Sequence, residues 1–80
     1  MGSLEKLIQK VLSRKKISYK DAERILLRLG FKCNITGSHH VFRKVGTPYN
    51  ISLKRRPELL AYQVKMLQEV LLNHGYYEEK

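Results

Sequence analysis

Two imidazoles stand directly after a Gly-Ser turn in the stretch Gly37-Ser38-His39-His40-Val41-Phe42-Arg43. Imidazole titrates near neutral pH, so either ring can take or give a proton. Such a group suits a substrate that carries its own nucleophile, and RNA is one. Its 2′-OH lies beside the scissile phosphate. An enzyme need only remove that proton, protonate the leaving 5′-oxygen and hold the charge that builds on phosphorus. Lys and Arg hold phosphate oxygens, Arg through two parallel hydrogen bonds. Arg43 and Lys44 follow on the same segment and Lys54 lies on the next one. This chemistry requires no metal, and between Lys10 and Arg56 the only acidic residues are Asp21 and Glu23. Cys33 is the only cysteine. It makes no internal disulfide, has no ligand partners at zinc-like spacing, and reads as a small apolar residue on a strand. Neither metal nor cofactor is expected.

A histidine in a strand is most often a surface or packing residue, so the bland reading stands beside the chemical one. Strand alternation puts His39 and His40 on opposite faces, which argues against a close pair. Phe42 shares the face of His40, while Val41 and Val45 share that of His39, so the pattern leaves open which face is buried. His74 falls at a helix C-terminus, where an imidazolium opposes the dipole, and reads as a cap.

The elements that must position these residues follow from periodicity. Leu4, Leu7, Ile8, Val11 and Leu12 have helical spacing, with Ser3 as N-cap, and the segment ends in the basic link Arg14-Lys15-Lys16. Ser18 opens a second helix with Asp21 completing a capping box. Ala22, Ile25, Leu26 and Leu29 form its stripe, and Gly30 ends it. The period then changes to two. Phe31, Cys33 and Ile35 predict a half-buried strand, Gly37-Ser38 a turn, and His39 to Val45 a second strand. After Gly46-Thr47-Pro48, Tyr49, Ile51 and Leu53 predict a third. Pro57 suits the first turn of a helix over 58–73, with Leu60, Val64, Leu67 and Leu71 as its stripe and Leu59, Met66 and Val70 widening it. Residues 76–80 read as a frayed tail. The expected fold is α+β: helix, helix, a three-stranded antiparallel meander, helix, with the helices on one face of the sheet. Eighty residues allow one core.

Charge narrows the class of partner. The chain carries +9 overall. Between Lys10 and Arg56 thirteen basic residues face two acidic ones, a local net of +11, whereas the residues from Pro57 onward sum to −2. A segment so biased attracts polyanions, nucleic acid first among them. No run reaches the roughly 18 apolar residues of a membrane span. The N-terminus shows no apolar signal block, and Lys6 replaces the Ser or Thr of a myristoylation motif, so the expected compartment is the cytoplasm.

The Gly-Ser-x-His signature between the first two strands, within a helix–strand–strand–strand–helix order, resembles the HicA family. These are the toxins of HicA–HicB toxin–antitoxin pairs, which cleave messenger RNA on a fold like the double-stranded RNA-binding domain. The resemblance covers about residues 18–75. It implies an mRNA interferase with His40, two residues after the motif serine Ser38, as the catalytic histidine. His39 fills the variable position, and Ser38, His39 and Arg43 become candidate catalytic or RNA-contacting residues. Lys44, Lys54, Arg55 and Arg56 become candidate RNA contacts, and the implied partners are mRNA and an acidic HicB-like antitoxin. Residues 1–16 are an addition to the family pattern, so the expected division is a helical extension over 1–16, the HicA-like domain over 17–75 and a tail over 76–80. Lys54-Arg55-Arg56-Pro57 replaces a histidine-bearing segment that the family often has after its third strand.

The alternative is a non-catalytic RNA-binding module on the same fold, reading duplex shape and phosphates through Lys and Arg. The start of the final helix lacks the basic cluster such a module would use. A protein-interaction adaptor without RNA contact leaves the charge unexplained.

Overall fold

The computed structural model describes residues 4–78. Its elements are helix α1 (Leu4–Leu12), helix α2 (Tyr19–Arg28), strands β1 (Lys32–Thr36), β2 (His39–Arg43) and β3 (Asn50–Leu53), and helix α3 (Ala61–Asn73). The strands form one antiparallel meander in the order β1-β2-β3. The expected α+β architecture, with its additional N-terminal helix, is the one observed. The expected N-cap Ser3 lies outside the described residues.

Local chemistry sets most of the boundaries. Ser18 caps α2 by accepting from the Asp21 amide, and the Asp21 side chain returns to the Ser18 amide. Gly30 follows with φ 99°, and the Phe31 amide donates to the Leu26 carbonyl, closing a Schellman turn. The end of α1 closes in the same way without a glycine. Arg14 takes φ 60°, and the Lys15 amide reaches the Lys10 carbonyl. At the β1–β2 turn Gly37 alone takes a positive φ, 61°, as the first central residue of a II′ hairpin turn must.

Register decides which face is buried. Cys33 pairs with Phe42, and Phe42 with Ile51. Ile35 pairs with His40, and His40 with Leu53. These residues share the face covered by the helices, and Phe42, Ile51 and Leu53 are fully buried there against Ile25, Leu26, Leu67, Val70 and Leu71. The opposite face carries Lys32, Asn34, His39, Arg43, Asn50 and Ser52, all exposed. His40 therefore points toward the helices and His39 toward solvent.

Four expectations are corrected. Helix α3 begins at Ala61, not at 58, and Pro57 lies outside it. The preceding segment is claimed by the α1–α2 link: Tyr19 donates its amide to the Arg56 carbonyl and Leu59 donates to that of Ile17. Leu59 is buried, while Leu60 becomes the exposed N-cap, its amide held by Gln63 Oε1 at 2.9 Å. Second, Ile35 is 67% exposed although it lies on the core-facing side, next to the pair that flanks the hairpin turn. Third, β2 ends at Arg43, where the Thr47 amide and hydroxyl both bond the Lys44 carbonyl and start the turn; Val45 is exposed. Fourth, Tyr76 and Tyr77 are held in place, not frayed. Tyr76 packs against the core, and the Tyr77 carbonyl accepts from Gln9 Nε2.

The N-terminal helix belongs to the same core. Ile8 and Val11 are buried with the residues of α2 and α3 in one cluster. Gln68, itself buried, donates from Nε2 to the Val11 carbonyl at 2.8 Å and the Leu12 carbonyl at 3.4 Å, supplying the donor that a helix C-terminus lacks. Among the described residues no helix is long and apolar enough to cross a membrane.

Candidate functional site

His40 enters the structure at the start of β2, half-buried, where α2 passes over the sheet. Its Nδ1 lies 2.8 Å from the Tyr19 hydroxyl, and that hydroxyl lies 2.9 Å from Glu23 Oε2. A carboxylate only accepts, so the tyrosine donates its proton to Glu23 and accepts from Nδ1–H of His40. The chain of bonds runs His40 to Tyr19 to Glu23. It places the imidazole proton on Nδ1 and leaves the lone pair on Nε2. Nε2 has no hydrogen-bond partner among the described residues. No buried polar side-chain atom among them lacks one, so Nε2 reaches solvent. The rings of Tyr19 and His40 meet edge to face at 4.9 Å, and Phe42 lies 6.3 Å beyond Tyr19. Burial, the Glu23 hydrogen bond and charge, and the nearby Cys33 thiol all push the Tyr19 phenol above its ordinary range. The hydroxyl thus stays protonated and able to donate to Glu23.

The other predicted residues fall into three places. Lys54, Arg55 and Arg56 leave β3 at the same end of the sheet as the histidines, since His40 pairs with Leu53. They line a concavity of about 470 Å³ together with His39, Ser52, Leu60, Tyr62 and Gln63. Arg55 and Arg56 also line a second hollow with Ser18, Tyr19, Lys20 and Pro57, so the cationic arm reaches around the sheet to the tyrosine that holds His40. Ser38 is exposed on the hairpin turn next to His39. Arg43 stands at the far end of β2, roughly 10 Å from His40 along the strand, on the opposite face, with its Nε 3.4 Å from the Asn50 side chain.

Lys44 is engaged elsewhere. Its ammonium donates to His74 Nε2 at 2.9 Å, and it lies 6.0 Å from the centre of the Phe31 ring. His74 Nδ1 lies 2.7 Å from the Val70 carbonyl, so His74 does cap α3, but as a neutral ring that donates through Nδ1 and accepts through Nε2. Of the predicted cations, then, Lys54, Arg55 and Arg56 stand near the histidines, and Arg43 and Lys44 do not.

No family model, curated protein or solved structure matches this chain.

Three residues of this site escape a reading of the sequence: Tyr19, Glu23 and Cys33. Glu23 and Cys33 each lend one ligand-type atom to a group with His40 in which the atoms lie within 4.8 Å of one another. Spacing along the chain gives Cys33 no such neighbours; they come from another helix and another strand. The one local signal was the four-residue separation of Tyr19 and Glu23, which puts both on one face of a helix.

Proposed function

We propose that this chain is a metal-independent endoribonuclease that cleaves messenger RNA, with His40 as its general acid and base, acting as the toxin of a toxin–antitoxin pair. The observation that carries the reading is the bond chain from His40 Nδ1 through Tyr19 to Glu23, which fixes the tautomer and leaves Nε2 open to solvent. Nε2 accepts the 2′-OH proton as the 2′-oxygen attacks phosphorus. The resulting imidazolium is stabilised through Tyr19 by the Glu23 carboxylate and supplies the proton for the departing 5′-oxygen. Lys54, Arg55 and Arg56 neutralise the phosphates of the strand. Each proton has a source and a destination, so the step is complete without a metal.

The experiment compares purified His40→Ala and His39→Ala on a structured messenger RNA. His40→Ala loses roughly 10²–10⁴-fold in rate, the span of a single general acid–base group, while His39→Ala stays within a few-fold. Equal cleavage by His40→Ala and wild type refutes the assignment.

An acidic antitoxin is the partner this reading requires. The +11 stretch between Lys10 and Arg56 speeds its association through electrostatic steering. Co-expression with an acidic neighbouring gene product rescues growth and yields a co-purifying complex. A neighbour that neither binds nor protects removes this part of the proposal.

A second reading, a non-catalytic RNA-binding module, is favoured by one observation: His39 shares the concavity of Lys54, Arg55 and Arg56, while His40 faces the helices. Tight RNA binding without any cleavage by wild type would select it.

A further inference from the structure

The surroundings of His40 have a second chemical meaning. Glu23 comes from α2, Cys33 from β1 and His40 from β2, all half-buried, with one ligand-type atom from each within 4.8 Å of the others. A carboxylate, a thiol and an imidazole are the three side-chain types that bind zinc. Oxygen-seeking ions such as Mg²⁺ and Ca²⁺ find only one oxygen ligand in this set, whereas thiolate with imidazole selects a zinc-like ion. The backbones that present the three groups are fixed. Cys33 and His40 sit in the β1–β2 ladder, paired with Phe42 and Ile35, and Glu23 lies on the capped α2. Ligands on one tetrahedral zinc stand about 3.5 Å apart, so closure asks for shifts of about 1 Å. The long Glu23 side chain, already swung toward His40 by Tyr19, can supply most of that movement.

We propose that Glu23, Cys33 and His40 form a zinc-binding site, with water in the fourth position, and that its occupation switches off RNA cleavage. The switching clause rests on the ribonuclease reading; the binding clause does not. On binding, the Cys33 thiol gives its proton to solvent and the zinc gives up hydration water. With zinc on one ring nitrogen, the neutral His40 ring carries its proton on the other and keeps no lone pair. No electron is transferred. A ring committed to zinc cannot accept the 2′-OH proton, and the His40–Tyr19–Glu23 chain is broken at the same moment.

The test uses the full chain, stripped of metal and titrated with Co²⁺ and then Zn²⁺. One equivalent of Co²⁺ produces a thiolate-to-cobalt charge-transfer absorption that one equivalent of Zn²⁺ abolishes. Cys33→Ser shows no such band and binds zinc more than about 100-fold more weakly, a larger loss than the roughly 10–100-fold that follows removal of an outer-shell partner. Should Cys33→Ser fail to fold, Cys33→Ala takes its place. Zinc slows cleavage by wild type at least about 100-fold, EDTA restores it, and zinc does not slow the Cys33 variant relative to that variant's own metal-free rate. Absence of the band, or unchanged zinc affinity in the Cys33 variants, overturns the site. Stoichiometric zinc bound through Cys33 with cleavage unchanged or faster overturns the switch. Zinc bound through Cys33 by a chain that cleaves no RNA in any state upholds the site and refutes the ribonuclease reading instead.

Discussion

Removing one oxygen atom, in Tyr19→Phe, separates the role of the bond chain from the role of the fold. Tyr19 is 3% exposed, and its ring packs with His40 and Phe42, contacts that phenylalanine keeps. What goes is the bond to Glu23 at 2.9 Å and the bond to His40 Nδ1 at 2.8 Å. Glu23 and His40 are both half-buried, so water replaces part of each loss. The expected cost in stability is about 1–2 kcal/mol, the range for one ordinary and one charge-assisted hydrogen bond partly resolvated. On a domain of this size each kcal/mol lowers the melting temperature by about 4–8 °C. The expected cost in catalysis is separate. Without its acceptor on Nδ1 the ring is free to hold its proton on either nitrogen and to rotate, so kcat falls about 10–100-fold, or roughly 1.4–2.7 kcal/mol of barrier. KM, set by the cationic arm, changes little. The assays are calorimetric unfolding, single-turnover cleavage and ¹⁵N NMR of the His40 ring. Wild type shows Nδ1 protonated, and the variant a mixture of tautomers. A variant with wild-type kcat and an unchanged tautomer signature would show that Tyr19 merely packs, and the positioning argument would fail.

The remaining predictions are briefer. Cleavage survives excess EDTA, because the 2′-OH, an imidazole and three cations complete the chemistry; loss on chelation that added Mg²⁺ restores would overturn the metal-free mechanism. RNA affinity falls with salt, with a log–log slope of about −0.7 per phosphate contact on single strands, and Lys54→Ala or Arg55→Ala each flatten it by about that amount. Arg43→Ala, at the far end of β2, leaves the slope nearly unchanged; equal effects from all three would mean that RNA lies along the whole outer face. Gln68→Ala leaves the Leu12 carbonyl without a donor among the described residues, the Val11 carbonyl with the Arg14 amide alone, and a gap beside them, and lowers the unfolding free energy by about 2–3 kcal/mol in urea titration. A loss under 0.5 kcal/mol would mean that water serves those carbonyls equally well.

What could be read in advance was local. Ser18 with Asp21, Gly30 and the alternation of Ile51 and Leu53 each act over a few residues, and each appears in the structure as expected. The start of α3 could not be read, because the preference of proline for a first helical turn lost to backbone bonds that Arg56 and Leu59 make with Tyr19 and Ile17, 37 and 42 positions away. The buried Gln63 and Gln68 break the polar-outward rule for the same reason: each satisfies a backbone group rather than solvent. At the site, His40 is visible as a residue type in a motif. Its partners are not, because α2, β1 and β2 bring them together only after folding. Nor does alternation alone tell which imidazole faces the helices; the pairing of Phe42 with Ile51 decides that.

The bond between Gln68 and the end of α1 joins the first and last elements of the chain across 57 residues. The histidine hairpin and the helix above it are assembled from near neighbours, and such contacts form early. The closure of α1 against α3 spans nearly the whole chain and must wait for its final helix. His40, Tyr19 and Glu23 can therefore meet before the shell around them is sealed. A chain without α3 leaves Ile8 and Val11 only the part of their cover that α2 supplies. The helix that completes the core thus also decides whether α1 stays docked, since it supplies much of the surface on which the apolar stripe of α1 rests.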